Sequence, residues 1–222
     1  MKRNVSLEEI SDGKLYDAND LVKADCGGCA GCSACCHGMG NSIILDPMDV
    51  VRLAEGTGKT AEGLLAEGYL ELNVVDGIIL PNLKMTGTAE ACAFLSPEGR
   101  CSIHPFRPGI CRLFPLGRYY EKNTFRYFLQ THECPKSNRT KIRVRRWIDT
   151  PELQKYETYI SDWHYFLEDV QGCLEQMEDE TEVKNVNLYL LKLFYLKPYS
   201  GMSDFYQVFY DRLKQVREVL GA

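Results

Sequence analysis

CGGCAGCSACCHG, residues 26–38, places Cys26, Cys29, Cys32, Cys35 and Cys36 within eleven residues. Thiols this dense serve a disulfide framework, a metal or redox chemistry, and the rest of the chain discriminates among them. The N-terminus, MKRNVSLEEISDGK, lacks the apolar stretch of a signal peptide, and no run approaches the ~18 apolar residues of a membrane span. A cytoplasmic protein is therefore expected, one in which thiols stay reduced and a cysteine cluster binds metal. The 222 residues can form one domain or a small two-part domain, and 45% apolar content suits a globular chain. A net charge of −5 argues against nucleic acid as the partner.

Of the ten cysteines, nine fall between Cys26 and Cys134, and Cys173 stands apart. The cluster reads C-x2-C-x2-C-x2-C-C and continues with Cys92, Cys101, Cys111 and Cys134. Thiolates three residues apart converge on one centre because the two residues between them form a tight turn, in zinc knuckles and iron–sulfur sites alike. The C-x2-C-x2-C run with a remote Cys134-Pro135 follows the pattern of bacterial ferredoxins. Zinc needs only four thiolates, and spacing alone does not separate the two metals. Adjacent side chains point apart, so Cys35 and Cys36 suit two centres. The eight thiols Cys29, Cys32, Cys35, Cys36, Cys92, Cys101, Cys111 and Cys134 would fill two four-ligand sites, as one or two 4Fe-4S clusters or with zinc in one of them.

The remaining pattern predicts an α+β fold. NSIIL (41–45) reads as a short strand, and Asp46-Pro47 starts a helix over about 47–55 that Gly56 stops. A second short helix is expected near 60–67. Hairpins are expected about Asp76-Gly77 and about Glu121-Lys122-Asn123, and the segment from Cys92 to Cys111 is expected to be ordered loop. Ile142 and Val144 alternate with arginines as on a half-buried strand. Thr150-Pro151 caps a helix over about 151–177, whose stripe is Leu153, Tyr156, Ile160, Trp163, Leu167, Val170 and Leu174. Further helices follow at about 181–196 and after Ser203, the latter with a core-packing stripe from Phe205 to Leu220. The expected organisation is an N-terminal segment at 1–25, a cysteine-cluster domain at 26–146 and a helical region at 147–222.

CAGCSACC followed by CAFL, CSIH, RPGIC and RLFPL resembles the YkgJ-type cysteine-cluster family, described as zinc- or iron-chelating proteins. The likeness covers roughly residues 29–134 and implies that Cys29, Cys32, Cys35, Cys36, Cys92, Cys101 and Cys111 are metal ligands, with Cys134 at a less regular position. Cys26 lies outside the pattern, so Cys26 and Cys173 are expected to be dispensable for metal. The cluster is also similar to that of flagellin lysine methylases, which implies iron–sulfur chemistry for this chain. A methyl donor would need its own pocket, and no Gly-rich strand-to-helix turn is present to supply one.

GTGKT (56–60) fails as a phosphate loop, because the required first glycine would fall at Leu53. The basic run KSNRTKIRVRR (136–146) reads as a solvated strand face. Arg107 and Arg112 flank the cysteines and are assigned to the cofactor, since guanidinium groups would offset the charge of an anionic cluster. His37, His104 and His132 also lie near cysteines and could be alternative ligands, but each reads as a residue that supports a ligand by hydrogen bonding or lies on the surface. No catalytic residue emerges. Two classes of function remain: a cluster-binding protein in redox, sensing or cluster-dependent chemistry, with a protein or redox partner, and a zinc-stapled interaction module.

Overall fold

The computed structural model describes residues 6–27 and 32–220; Cys29 lies outside these. The chain opens with one helical turn, α1 (Leu7–Ile10), capped by the Ser6 hydroxyl, then β1 (Ser11–Tyr16) and β2 (Leu21–Asp25). After the cysteine cluster come α2 (Pro47–Thr57) and α3 (Ala61–Ala66). A hairpin of β3 (Leu70–Val75) and β4 (Ile78–Leu83) follows, then the short pair β5 (Met85–Thr86) and β6 (Ala91–Cys92). Next are α4 (Gly109–Leu113), the strands β7 (Leu116–Glu121), β8 (Thr124–Gln130) and β9 (Thr140–Arg143), and α5 (Val144–Ile148). The chain ends in α6 (Leu153–Glu175), α7 (Glu180–Leu191) and α8 (Phe205–Leu220). The fold is α+β with small antiparallel sheets: one of order β1-β8-β7, and the pairs β2–β9, β3–β4 and β5–β6.

Local chemistry explains most of these elements. Asp76 and Gly77 both take positive φ, as do Lys122 and Asn123, giving two-residue turns whose twist matches the flanking strands. Asp46 accepts from the Asp49 amide and Asp49 from the Asp46 amide, a reciprocal cap with Pro47 in the first turn of α2. All seven stripe residues of α6 are buried. They pack with Phe194 and the buried Phe205, Phe209 and Val216 of α8 into an aromatic core, with Trp163 and Phe194 centroids 5.0 Å apart.

Several expectations need correction. NSIIL forms no strand and contributes an isolated bridge from Ile44 to Asn82. Gly56 does not stop α2, which runs to Thr57 and is capped by left-handed Gly58. The segment from Cys92 to Cys111 includes the helix α4 as well as loop. The basic strand ends at Arg143, because Val144 and Ile148, four residues apart, are both buried only when that stretch turns helical. Thr150 does not cap α6; Glu152, in the left-handed region, precedes it, and the Thr150 hydroxyl donates to the Ile148 carbonyl at 3.4 Å. The N-terminal strands had no clear signal: in β2 only Val22 and Ala24 are buried.

One continuous set of buried residues runs from Val22 to Val216. Specific bonds also cross it: Asn187 on α7 accepts from the Ile79 amide at 2.7 Å, and the Tyr195 hydroxyl donates to the Leu45 carbonyl at 3.0 Å. Among the described residues no helix is long and apolar enough to cross a membrane.

Candidate metal centre

Short, irregular elements carry the cysteines. Cys35 and Cys36 lie on a 3-10 turn, Ala34–Cys36, and Cys92 ends β6 opposite Met85. Cys101 bridges to Leu95, and Cys111 sits within α4. These segments meet. The Cys35 thiol is pushed up by its hydrogen bond to Cys36, by burial and by the charge of Cys36, while Arg107 pulls it back. Burial pushes Cys92 up, and Cys101 and Cys35 add to it; burial does the same to Cys101, with Cys35 adding and Arg107 opposing. Burial raises Cys111 well above an ordinary thiol, with Asp49, Cys92, Cys35 and Cys101 contributing. A group of thiols that resist ionising together is costly to charge in the absence of a cation and matches what a thiophilic metal supplies.

Arg107 supplies a second sign that the residues fit an anionic centre. Its Nη1 lies 2.7 Å from His104 Nε2, and its Nε is buried without a partner among the described residues. A buried donor beside thiols is suited to a metal-bound sulfur. Burial lowers His104, and Arg107, Arg100 and Arg112 add to it, so this imidazole is neutral and accepts from Arg107. Arg112 behaves differently. It donates to the carbonyls of Arg107 and Asp149, both at 3.2 Å, and of Pro105, so it clamps the backbone around Cys111. His37 Nδ1 contacts the Ala89 carbonyl at 3.4 Å and His132 is exposed. Cys173 lies in the last turn of α6. Among the described residues no three Cys, His, Asp or Glu side chains stand at coordinating distance from a common point, so the thiols are neighbours rather than a closed cage.

The cysteine-bearing loop is anchored from below by α2, a link the sequence did not signal. The buried Asp49 carboxylate accepts from the Gly109 amide at 2.7 Å, which fixes the start of α4 and hence Cys111. The Tyr159 hydroxyl donates to Asp46 at 3.0 Å and accepts from the Met48 amide at 3.1 Å, tying the same cap to α6. Gly56 faces Phe106 so closely that a Cβ would lie 2.3 Å from the ring, which accounts for glycine inside α2.

Asp49 is raised to about 7, by burial first and then by Asp46. The folded state therefore keeps a proton that the unfolded chain releases near pH 4, and this carboxyl's contribution to stability is lost as pH rises from about 4 to about 7. Asp49→Asn is expected to remove that loss. The stability difference between variant and wild type should drift in the variant's favour from pH 5 to pH 7.5 in urea unfolding; a difference constant with pH would contradict it.

A family model, CxxCxxCC, described as "Putative zinc- or iron-chelating domain", matches residues 28–144. No curated protein and no solved structure matches the chain.

Proposed function

This chain belongs to the CxxCxxCC family of zinc- or iron-chelating domains, and within it we propose that the cysteines hold a 4Fe-4S cluster serving redox, sensing or cluster-dependent chemistry. The observation that carries the reading is the meeting of Cys35, Cys36, Cys92, Cys101 and Cys111 in one electrostatic group beside Arg107. Four thiolates hold a cubane, and five candidates stand here. When bound, such a cluster stores or passes one electron. The chain's own part is to bring the thiols together, to offset their charge with Arg107 and to hold the loop with Arg112 and Asp49. In this reading residues 26–146 carry the metal, the helices of 147–222 brace it, and the partner is a redox protein.

Anaerobically prepared protein is then brown, and Cys92→Ser is expected to abolish most of the visible absorption while the far-ultraviolet dichroism of the helices persists. Full colour in Cys92→Ser would rule out this group as the cluster site. Arg107→Ala removes a positive charge near Cys35 and Cys101. It should lower the midpoint potential by on the order of tens of millivolts with iron content unchanged. Arg107→Lys should restore part of the shift, and an unchanged potential in Arg107→Ala would remove the arginine from the account.

A further inference from the structure

A second group of thiols adjoins the first. Cys26, Cys32 and Cys134 line one small cavity of about 20 Å³, with Cys35 also on its wall. Chain topology brings two of them together. In the antiparallel β2–β9 pair Asp25 stands opposite Thr140, so the residue leaving β2, Cys26, and the segment entering β9, which carries Cys134, emerge at the same end. Gly27, with φ 72°, donates its amide to Asp25 Oδ1 at 2.9 Å and turns the chain just after Cys26. The cavity's other walls are Phe114, Pro115 and Trp147, and the Trp147 indole is fixed by donating to the Leu113 and Phe114 carbonyls at 3.2 and 3.1 Å. Lys136 adds a positive charge.

Resting on the metal-binding reading above, we infer that Cys26, Cys32 and Cys134 form a second metal site, taking a single thiophilic ion, zinc or iron, as three thiolates. Cys26, outside the span matched by the family model and set aside because it lies outside the resembled family's pattern, becomes a ligand. Apolar walls exclude water from soft thiolate ligands, and Lys136 offsets part of the charge of a three-thiolate site. A cavity of about 20 Å³ holds one water-sized occupant, so it suits one ion rather than a four-iron cubane. The thiols are not at coordinating distance among the described residues, and closing on an ion needs adjustment of these partly exposed side chains.

The test is metal content per chain for anaerobically purified full-length protein, in wild type, Cys26→Ser, Cys134→Ser, the Cys26/Cys134 double serine variant and Cys92→Ser. Refilling with cobalt(II) reads the same site by its thiolate charge-transfer absorption, and Trp147, with Trp147→Phe as control, reports it by fluorescence. Cys26→Ser and Cys134→Ser should each lose about one equivalent of metal, and the double variant the same one rather than two, while Cys92→Ser should lose the cluster iron and keep that one ion. Cys134→Ser guards against misfolding of one variant, and dichroism checks both. Full metal content in Cys26→Ser, with Cys92→Ser depleted, would overturn the second site alone. Unchanged metal in both Cys26→Ser and Cys92→Ser would overturn it together with the metal-binding reading.

Discussion

Gly109→Ala is expected to destabilise the protein by about 3 kcal/mol or more, in the range of overpacked cores, and to displace Cys111 from its neighbours. An added Cβ would lie 2.1 Å from the Tyr156 hydroxyl and 3.4 Å from its ring carbon. The ring cannot swing away: Tyr156 is fully buried in α6, its hydroxyl accepts from Arg118 at 3.1 Å, and Arg52 lies over its face. Nor can α4 lift without breaking the bond from the Gly109 amide to Asp49. The strain depends on a single oxygen, so Gly109→Ala combined with Tyr156→Phe should be less damaging than the sum of the two, even though Tyr156→Phe alone removes one acceptor from Arg118. Additive effects, measured by urea unfolding of all four members of the cycle, would show that the clash is not where the loss arises.

Stripping the metal should have the second large effect. Between β6 and β7 the chain has only a 3-10 turn at His104–Phe106, a five-residue α-helix and scattered turn bonds, such as Ser102 N to Phe94 O at 2.9 Å. The helices α6 and α8 instead bury whole stripes. Chelation under reducing, anaerobic conditions is therefore expected to raise amide exchange in residues 93–113 by on the order of 100-fold or more, with α6 to α8 largely protected. Comparable deprotection of α6 to α8 would mean that metal and helices share one cooperative unit.

Where chemistry is local, the sequence could be read directly. Asp46-Pro47, Asp76-Gly77 and the stripe of α6 announce a cap, a turn and a buried face from neighbouring residues alone. Val144 to Ile148 is too short for periodicity to separate strand from helix, and the burial of both ends decided it. Gly56 and Gly109 look like helix breakers or loop residues; their roles come from Phe106 and Tyr156, 50 and 47 positions away in the chain. The same division holds for the site. Spacing marked the cysteines as metal ligands by type, but which thiols meet is set by strand pairing. Cys26 reaches the side of Cys134 only because β2 lies against β9, and β2 shows too little apolar alternation to be read as a strand. Arg112, grouped with Arg107 by proximity to cysteine, is distinguished from it only by the carbonyls it binds.

The central claim is that these thiols hold an iron–sulfur centre. It is tested most directly by measuring iron, acid-labile sulfide and zinc, with the visible spectrum, on full-length protein prepared anaerobically with ample iron. The expected result is brown protein that bleaches on reduction or in air and carries about four iron and four sulfide per chain, with one further ion in the second site. Colourless protein with stoichiometric zinc and no sulfide would contradict it and leave a zinc-stapled module in its place.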